Sequence, residues 1–280
     1  MHIDVNGVRL FFDVVGPRLR PDGDRMVERP TLIALHGGPG FDHASLRPYF
    51  DRFADTHQVI YLDHRGNGRS TGDPATWTLA QWGDDIHGFC QALGVEKPVV
   101  LGQSFGGMVA MSYGARHPDG PSKLIFSSTA ARMQLAETYA AMERLGGPEA
   151  RQIAEEFWTD PSEAGADRYI EVCMPLYNPG PPKDGSNRNR AILRTEVMFH
   201  FIHGEQRSMD LLAGLSAIRC PTLVLAGGLD PITPRSCAEA IYQALPESVR
   251  RLEVFNQAGH GAYRDEPDRA EALLREFLSA

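Results

Sequence analysis

Six short apolar runs, separated by segments of helical periodicity, constrain the fold of this 280-residue chain more than any other feature. Each run is rich in Val, Ile and Leu and is bounded by Gly, Pro or Asp, a pattern typical of strands buried on both faces of a parallel sheet. The predicted strands are residues 31–35, 58–62, 98–102, 123–127, 222–226 and 251–255. Helices are predicted at 78–93, 105–116, 235–244 and 267–278. The alternation predicts an α/β fold, with a mostly parallel twisted sheet and helices on both faces.

The N-terminal segment has a different pattern. Residues 3–15 predict two strands joined at Asn6-Gly7, a dipeptide that favours a tight hairpin turn. Residues 17–30 are polar and contain Pro and Gly, so the sequence predicts a loop there. These features place a short antiparallel region ahead of the parallel strands.

The strand–helix alternation stops between about Thr129 and Leu215. Helices are predicted at 133–145, 148–158, 164–173 and 189–202, with no clear strand among them. Residues 178–189 are rich in Pro, Gly and Asn and predict a mobile loop. We interpret this region as an inserted helical cap over one sheet edge. The predicted domains are therefore a core of residues 1–128 and 215–280 and a cap of residues 129–214.

Composition excludes several classes of function. The formal net charge of −8 argues against a nucleic-acid partner, which would favour a basic surface. No stretch approaches the roughly 18 apolar residues of a membrane span, and the N-terminus has no signal-peptide pattern. The four cysteines form no CxxC pair and predict reduced core thiols. We expect a cytoplasmic protein without membrane partners; the oligomeric state is left open.

The strongest chemical motif is Gly102-Gln103-Ser104-Phe105-Gly106. It matches G-x-S-x-G and lies between a predicted strand and a predicted helix, the context in which this motif forms a nucleophile elbow. The serine takes a strained backbone conformation there, so its neighbours two residues away must be small. Ser104 is therefore the predicted nucleophile.

A serine nucleophile needs a base and an acid that orients the base. With this elbow, the chain order is Ser, then Asp or Glu, then His. Asp230 follows the fifth predicted strand and His260 follows the sixth, so both belong at the same sheet edge as Ser104. We predict His260 as the base and Asp230 as its partner, whereas Asp265 and Asp268 are typical of helix starts.

Acyl transfer also requires donors that stabilise the negatively charged oxygen of the tetrahedral intermediate. The predicted donors are the backbone N–H groups of Phe105 and Gly38. Gly38 belongs to the turn His36-Gly37-Gly38-Pro39-Gly40, whose glycines, Gly37 among them, let the backbone approach the substrate closely. His36, Asp63 and Arg65 are predicted to brace these loops. No cofactor is needed for this chemistry.

Five motifs together carry a family resemblance: HGGPG at 36–40, LDHRGNGRS at 62–70, GQSFGG at 102–107, GGLD at 227–230 and AGH at 258–260. The chain resembles the proline iminopeptidase and tricorn-interacting aminopeptidase branch of the α/β-hydrolase superfamily. The likeness covers residues 31–128 and 219–265. It implies an α/β-hydrolase fold and an aminopeptidase that releases proline or another N-terminal residue from short peptides. Related esterases and lactonases also carry HGGPG, so a carboxylesterase or lactonase acting on small neutral esters stays open.

The resemblance further implies that cap carboxylates bind the ammonium group of the substrate. Glu196 matches the family's Glu-x-His-Tyr-Phe segment loosely, with an altered aromatic register, and Glu205 and Glu171 are further candidates. A non-catalytic ligand-binding member of the fold is a third possibility. His200 and His203 are three apart on a predicted helix, but no third ligand pattern accompanies them, and no metal site is predicted. The expected partner is a small molecule or a short peptide.

Overall fold

A computed structural model describes residues 1–181, 183 and 190–280 of the chain, and the elements below belong to that part. The strands are β1 His2–Val5, β2 Val8–Val15, β3 Leu19–Asp22, β4 Arg25–Glu28, β5 Thr31–Leu35, β6 Gln58–Leu62, β7 Val99–Gln103, β8 Lys123–Ser127, β9 Thr222–Gly227 and β10 Arg250–Phe255. The α-helices are α1 Leu79–Leu93, α2 Phe105–Arg116, α3 Leu135–Thr159, α4 Glu163–Val172, α5 Thr195–His203, α6 Leu212–Leu215, α7 Arg235–Ala244, α8 Ala262–Asp265 and α9 Pro267–Ser279.

Eight strands form one sheet in the order β1-β2-β6-β5-β7-β8-β9-β10. The pairs from β6 through β10 are parallel, whereas β1 pairs with β2 and β2 with β6 in antiparallel fashion. The chain leaves β5 toward β6 on one side and returns to β7 on the other. Ligands of open α/β sheets bind at such a reversal, outside the carboxyl ends of the strands. The loops after β5 and β7 therefore mark the expected site.

Helices cover both faces of the sheet and bury a hydrophobic core on each. Helices α1, α2 and α7 pack on one face, where Trp82 and Phe89 are fully buried. The 3₁₀ segment Tyr49–Asp55 and helix α9 cover the other face, which buries Tyr49 and Phe255. The six parallel strands and their helices lie within one or two residues of the predicted positions, so that part of the prediction is confirmed.

Two local predictions were wrong. Residues 17–30 do not form a loop throughout, because β3 and β4 pair as an exposed antiparallel hairpin, with Gly23 in the left-handed region at its turn. The helix predicted at 189–202 begins only at Thr195. Ahead of it the backbone N–H of Arg194 donates to the carbonyl of Gly40 at 2.7 Å, which ties this segment to the core. Residues 182 and 184–189, most of the predicted mobile loop, lie outside the described residues.

The segment between β8 and β9, which we call the cap, is helical and has a hydrophobic cluster of its own. Helix α3 is interrupted at Gly147, whose φ of 78° separates two helical halves close to the predicted break. The cap core contains Met142, Ile153, Phe157 and Tyr169, and it extends to Ile232 of the α/β core. The cap is thus in contact with the loop after β9 through Ile232 and with the loop after β5 through the bond between Arg194 and Gly40.

The four cysteines are Cys90, Cys173, Cys220 and Cys237, and each is a buried free thiol. Burial raises the pKa of Cys90 to about 12 and that of Cys173 to about 11. Thiols with a raised pKa are poor nucleophiles, so these cysteines have a packing role. The cytoplasmic location stays a prediction.

Candidate active site

Ser104 occupies the turn between β7 and α2 with φ 55° and ψ −118°, a conformation that side-chain-bearing residues rarely adopt. The surrounding glycines are required sterically. A β-carbon at Gly102 would lie 2.2 Å from the carbonyl oxygen of Gly106, and one at Gly106 would lie 2.3 Å from that of Leu35. Both contacts are with backbone, which cannot move aside. The motif therefore forms the strained elbow that the sequence predicts.

Several hydrogen bonds fix the backbone of Ser104. Its N–H donates to the carbonyl of Ser127 on β8 at 2.9 Å. Its carbonyl accepts from the hydroxyl of Thr129 at 2.6 Å and from the N–H of Gly107 at 2.9 Å. Bonds to both a neighbouring strand and the following helix hold the strained residue in place. Ser104 is thereby presented at the carboxyl edge of the sheet.

Asp230 and His260 lie in the loops after β9 and β10 and are in direct contact. The Nδ1 atom of His260 lies 2.9 Å from Oδ2 of Asp230. The same carboxylate accepts bonds from the backbone N–H groups of Ile232 and Thr233 and from the Thr233 hydroxyl. If Nδ1 donates to the acid, the other ring nitrogen, Nε2, is left as a proton acceptor. Thr233 was not identified from the sequence, because a turn threonine carries no distinctive signal.

The environment of Asp230 favours its charged form. Burial is the strongest single influence and by itself raises the pKa of this carboxyl. The attraction and hydrogen bond of His260 and the bonds from Thr233 together outweigh burial and lower the pKa below its usual value. An anionic Asp230 can stabilise the imidazolium that forms when His260 accepts a proton.

The turn after β5 brings its backbone close to Ser104. A β-carbon at Gly37 would lie 3.2 Å from Cβ of Ser104, so a larger residue there would press on Ser104. His36 is buried, and its Nδ1 lies 2.8 Å from the carbonyl oxygen of Gly37. That contact orients the Gly37–Gly38 peptide, whose N–H points away from its carbonyl. Phe105 begins α2, where N–H groups have no partner within the helix.

Ser104 and His260 line one cavity of about 120 Å³ between the core and the cap. Its core side consists of Gly37, Gly38, Pro39, Phe41, Ser45, Gln103, Ser104, Ile232, His260 and Arg264. Its cap side consists of Phe157, Trp158, Tyr169, Ile170, Met174, Tyr177, Ala191, Met198 and Ile202. Among the described residues that line this cavity, none carries a carboxylate. The cap side is apolar and aromatic except for two tyrosine hydroxyls and the indole N–H.

The structure does not bring the predicted cap carboxylates into the cavity. Glu196 has 58% of its side chain exposed and lies 3.9 Å from Arg194. The carboxylate of Glu205 accepts a 2.7 Å hydrogen bond from the N–H of Leu79, the first residue of α1. Glu171 is exposed on α4. Glu205 therefore satisfies a free N–H group at the start of a helix, and Glu196 faces solvent.

A polar network braces the loops behind the site. Asp63 accepts bonds from His43 at 2.7 Å and from the N–H of Arg69 at 3.0 Å. Burial raises the pKa of Asp63, but the neighbouring histidines and these bonds lower it overall to about 2. Arg65 is buried and forms a bidentate pair with Asp85 of α1, with both distances 2.7 Å. These contacts match the bracing role predicted for Asp63 and Arg65.

Among the described residues, Asp42, His43 and Asp63 place possible metal-ligand atoms within 4.8 Å of one another. The carboxylates of this group already have partners. Asp42 pairs with Arg69 at 2.8 Å, and Asp63 pairs with His43. The arrangement is therefore that of a structural ion-pair cluster. His200, for its part, packs edge-on against Trp77.

Comparison with known proteins agrees with this architecture. The family model described as alpha/beta hydrolase fold matches residues 30–267. A proline iminopeptidase of Lactiplantibacillus plantarum is 28% identical over 295 residues, covering 98% of both chains. A thermophilic esterase of Thermogutta terrifontis superposes with a TM-score of 0.70 at 25% identity, covering 100% of this chain and 98% of that one. An enol-lactonase of Burkholderia xenovorans has the same fold, with a TM-score of 0.70 at 19% identity and full coverage of both chains.

No helix among the described residues is long and apolar enough to span a membrane.

The family match covers most of the chain, and the proteins similar to this chain include an iminopeptidase and an esterase, both hydrolytic enzymes. The strand order, the serine turn and the contact between Asp230 and His260 agree with that assignment. The chain therefore belongs to the α/β-hydrolase fold family and is a hydrolase.

Proposed function

We propose that Ser104, His260 and Asp230 act as a catalytic triad that hydrolyses a carboxylic ester through an acyl-enzyme intermediate. The observation that carries this proposal is the 2.9 Å contact between His260 and Asp230, with His260 and Ser104 lining the same cavity. In the first step, His260 takes the proton of the Ser104 hydroxyl as the oxygen attacks the carbonyl carbon. His260 then gives that proton to the leaving alcohol. Water attacks the acyl-enzyme with help from the same base and restores Ser104.

The negative charge of the tetrahedral intermediate needs hydrogen-bond donors. We assign this role to the N–H groups of Phe105 and Gly38, which have no acceptor among the described residues. Phe105 lies at the start of α2, where the helix dipole also favours negative charge. His36 is a positioning residue in this scheme, because its contact with the Gly37 carbonyl orients the Gly38 N–H.

The cavity wall favours a small uncharged substrate, an ester or a lactone. Aromatic and aliphatic side chains of the cap, residues 129–214, bury apolar groups favourably. An ammonium group entering the same space would lose water and would need an anionic partner. The described residues of the cavity wall offer no anionic partner, because Glu196 faces solvent and Glu205 bonds to the N–H of Leu79. The ester alternative left open by the sequence is therefore the function that the geometry supports best.

An aminopeptidase is the second candidate. Proline iminopeptidases are similar to this chain over nearly its whole length, at 25–28% identity. An amide substrate would use the same triad and the same oxyanion donors. The two candidates differ in what contacts the substrate's amine, and an aminopeptidase would require a carboxylate in the cavity.

Paired chromogenic substrates test the proposal directly. We expect p-nitrophenyl butyrate to be hydrolysed much faster than proline p-nitroanilide. The kcat/KM of Ser104→Ala protein for the ester should be lower than that of the wild-type protein by at least about 10³-fold. Faster release from the proline anilide would favour the aminopeptidase. Ester turnover that survives Ser104→Ala would refute the triad.

A further inference from the structure

Gln103 is a buried polar residue in the wall of the cavity that the catalytic scheme does not use. It ends β7 and directly precedes Ser104, and only 3% of it is exposed to solvent. The carbonyl oxygen of its side chain, Oε1, accepts no hydrogen bond from any residue in the described part of the chain. The amide nitrogen lies 3.3 Å from where a β-carbon of Gly261 would be, so the side chain reaches toward the His260 loop.

A buried acceptor without a donor is unfavourable, because the oxygen has lost its bonds to water and gained none in return. Nearly all buried polar groups in folded proteins are paired, so an exception needs an explanation. The position of Gln103 in the cavity wall explains its unpaired oxygen. Gln103 lines the cavity beside the nucleophile, and the few polar groups of a mostly apolar pocket commonly orient a ligand.

We propose that Gln103 is a specificity-determining residue whose side-chain carbonyl accepts a hydrogen bond from a hydroxyl or N–H group of the substrate, close to the scissile carbonyl. This inference rests on the proposed esterase function and narrows its substrate class. The preferred substrates are short esters whose acyl chain carries a hydrogen-bond donor on the second or third carbon. An unsubstituted acyl chain would leave Oε1 unpaired in the closed cavity, and that penalty generates the selectivity.

Ser127 supplies the main competing explanation. It lies opposite Gln103 in the register of β7 and β8, and its hydroxyl is also buried without a partner among the described residues. A buried water bridging the two side chains would satisfy both without any substrate. In that case the enzyme would show no preference for a donor, and removing the Ser127 hydroxyl would perturb Gln103.

Four ethyl esters of equal carbon number form the test: butyrate, 2-hydroxybutyrate, 3-hydroxybutyrate and 2-aminobutyrate. Hydrolysis is followed by pH-stat titration, and each kcat/KM is divided by the rate of hydroxide-catalysed hydrolysis of the same ester. We expect the wild-type protein to prefer at least one hydroxylated ester over butyrate by about tenfold, the magnitude of one hydrogen bond. A Gln103-dependent preference for the amino ester alone would identify an amine as the donor and would favour the aminopeptidase.

Three variants locate the effect. Gln103→Met, which has similar volume and no acceptor of comparable strength, should reduce the preference to less than about twofold. In Gln103→Glu the charged carboxylate still accepts hydrogen bonds but donates none. This variant should therefore retain the preference for a hydroxylated ester. Ser127→Ala is the matched control and should keep the wild-type ratio. Circular dichroism and thermal unfolding establish that each variant is folded.

The outcomes separate this inference from the proposed function. Ser104-dependent hydrolysis with equal rates for all four esters, or a preference unchanged in Gln103→Met, would overturn the role of Gln103 alone. Loss of the preference in Ser127→Ala would show that Gln103 alone does not set the preference and would likewise overturn it. No Ser104-dependent turnover of any of the four esters would remove the esterase function and this inference together.

Discussion

The two sides of the cavity are built in opposite ways. On the core side, polar groups are held by short hydrogen bonds that start from the ends of strands, as at Asp230, His260 and Ser104. On the cap side, helices present aromatic and aliphatic side chains such as Phe157 and Ile202, and their packing is mostly apolar. Hydrogen bonds are directional and fix geometry, whereas apolar packing tolerates changes of shape. We therefore expect the core side to carry the chemistry and, through Gln103, the choice of a substrate with a hydrogen-bond donor, and the cap side to set the size of the acyl chain.

The largest difference between the sides should appear on removal of the charge of Asp230. We expect Asp230→Asn to lower kcat by about 10⁴-fold, because the amide cannot hold His260 in the reactive tautomer. The fold should be retained, since the amide oxygen can still accept from the backbone of Thr233. Asp268→Asn, an equal charge change on an exposed residue at the start of α9, is the control and should lie within twofold of wild type. Steady-state kinetics with p-nitrophenyl butyrate gives both values; an active Asp230→Asn would contradict the proposed triad.

The core side should also control how stability depends on pH. Burial lowers the pKa of His36 and lowers that of His64 still further, whereas His200 and His203 of the cap are exposed. Below about pH 6.5 the unfolded chain binds protons that the folded chain does not, so stability falls as pH falls. Each such histidine lowers the free energy of unfolding by up to about 1.4 kcal/mol for every unit by which the pH falls. The loss occurs between the pKa of that histidine in the unfolded chain and its lower pKa in the folded chain.

His64→Phe isolates this effect, because Nε2 of His64 has no partner among the described residues and the ring is fully surrounded. Urea unfolding at pH 7.5, 6.5, 5.5 and 4.5 should give a shallower loss of stability for this variant than for the wild-type protein. His203→Gln, a change at an exposed histidine, controls for the effect of a histidine substitution as such. Equal slopes for the wild-type protein and His64→Phe would mean that the pKa of His64 is the same in the folded and unfolded chains.

A smaller, selective effect is expected on the cap side. Ile202→Ala enlarges the cavity, so the preferred acyl chain of the substrate should lengthen, with relative kcat/KM for longer esters rising about tenfold. Ile153→Ala is the matched control, because Ile153 is buried in the same cap core without lining the cavity. Both changes destabilise the fold by roughly 2–5 kcal/mol. A series of p-nitrophenyl esters measures the preference, and a similar shift in both variants would show that the cap acts through general loosening.

The smallest effects should come from the cap carboxylates. Glu196→Gln should change kcat/KM by less than twofold on both ester and aminoacyl substrates, because this side chain faces solvent. Glu205→Gln should lower stability by about 1 kcal/mol, since it weakens a charge-assisted bond to the first N–H of α1. Kinetics and urea unfolding measure these two quantities. A selective loss of aminoacyl turnover in Glu196→Gln would restore the amine-binding role implied by the family resemblance.

The same division explains what could be predicted from the sequence. The glycines at 102 and 106 are dictated by contacts within a few residues and a neighbouring strand, so the motif alone locates Ser104. Asp230 and His260 follow from strand order. The direction of Glu196 depends on where α5 begins. Arg194, the residue before α5, bonds to Gly40 of the core, a long-range contact that no local pattern reveals. Gln103 stands at a variable position of the motif, so its unpaired oxygen became visible only in the folded structure.

One contact between the two sides has a consequence for how the fold can be modified. The N–H of His260 donates to the carbonyl of Tyr177 in the cap at 2.8 Å, and a β-carbon at Gly259 would lie 2.1 Å from that oxygen. The backbone of the proposed base is thus partly supported by the inserted segment. The cap is therefore not an independent module, and exchanging it between relatives would replace one of the supports of the base together with the pocket. We therefore expect a chimaera that keeps the Tyr177 carbonyl and Gly259 to retain more of its catalytic rate than one that loses them.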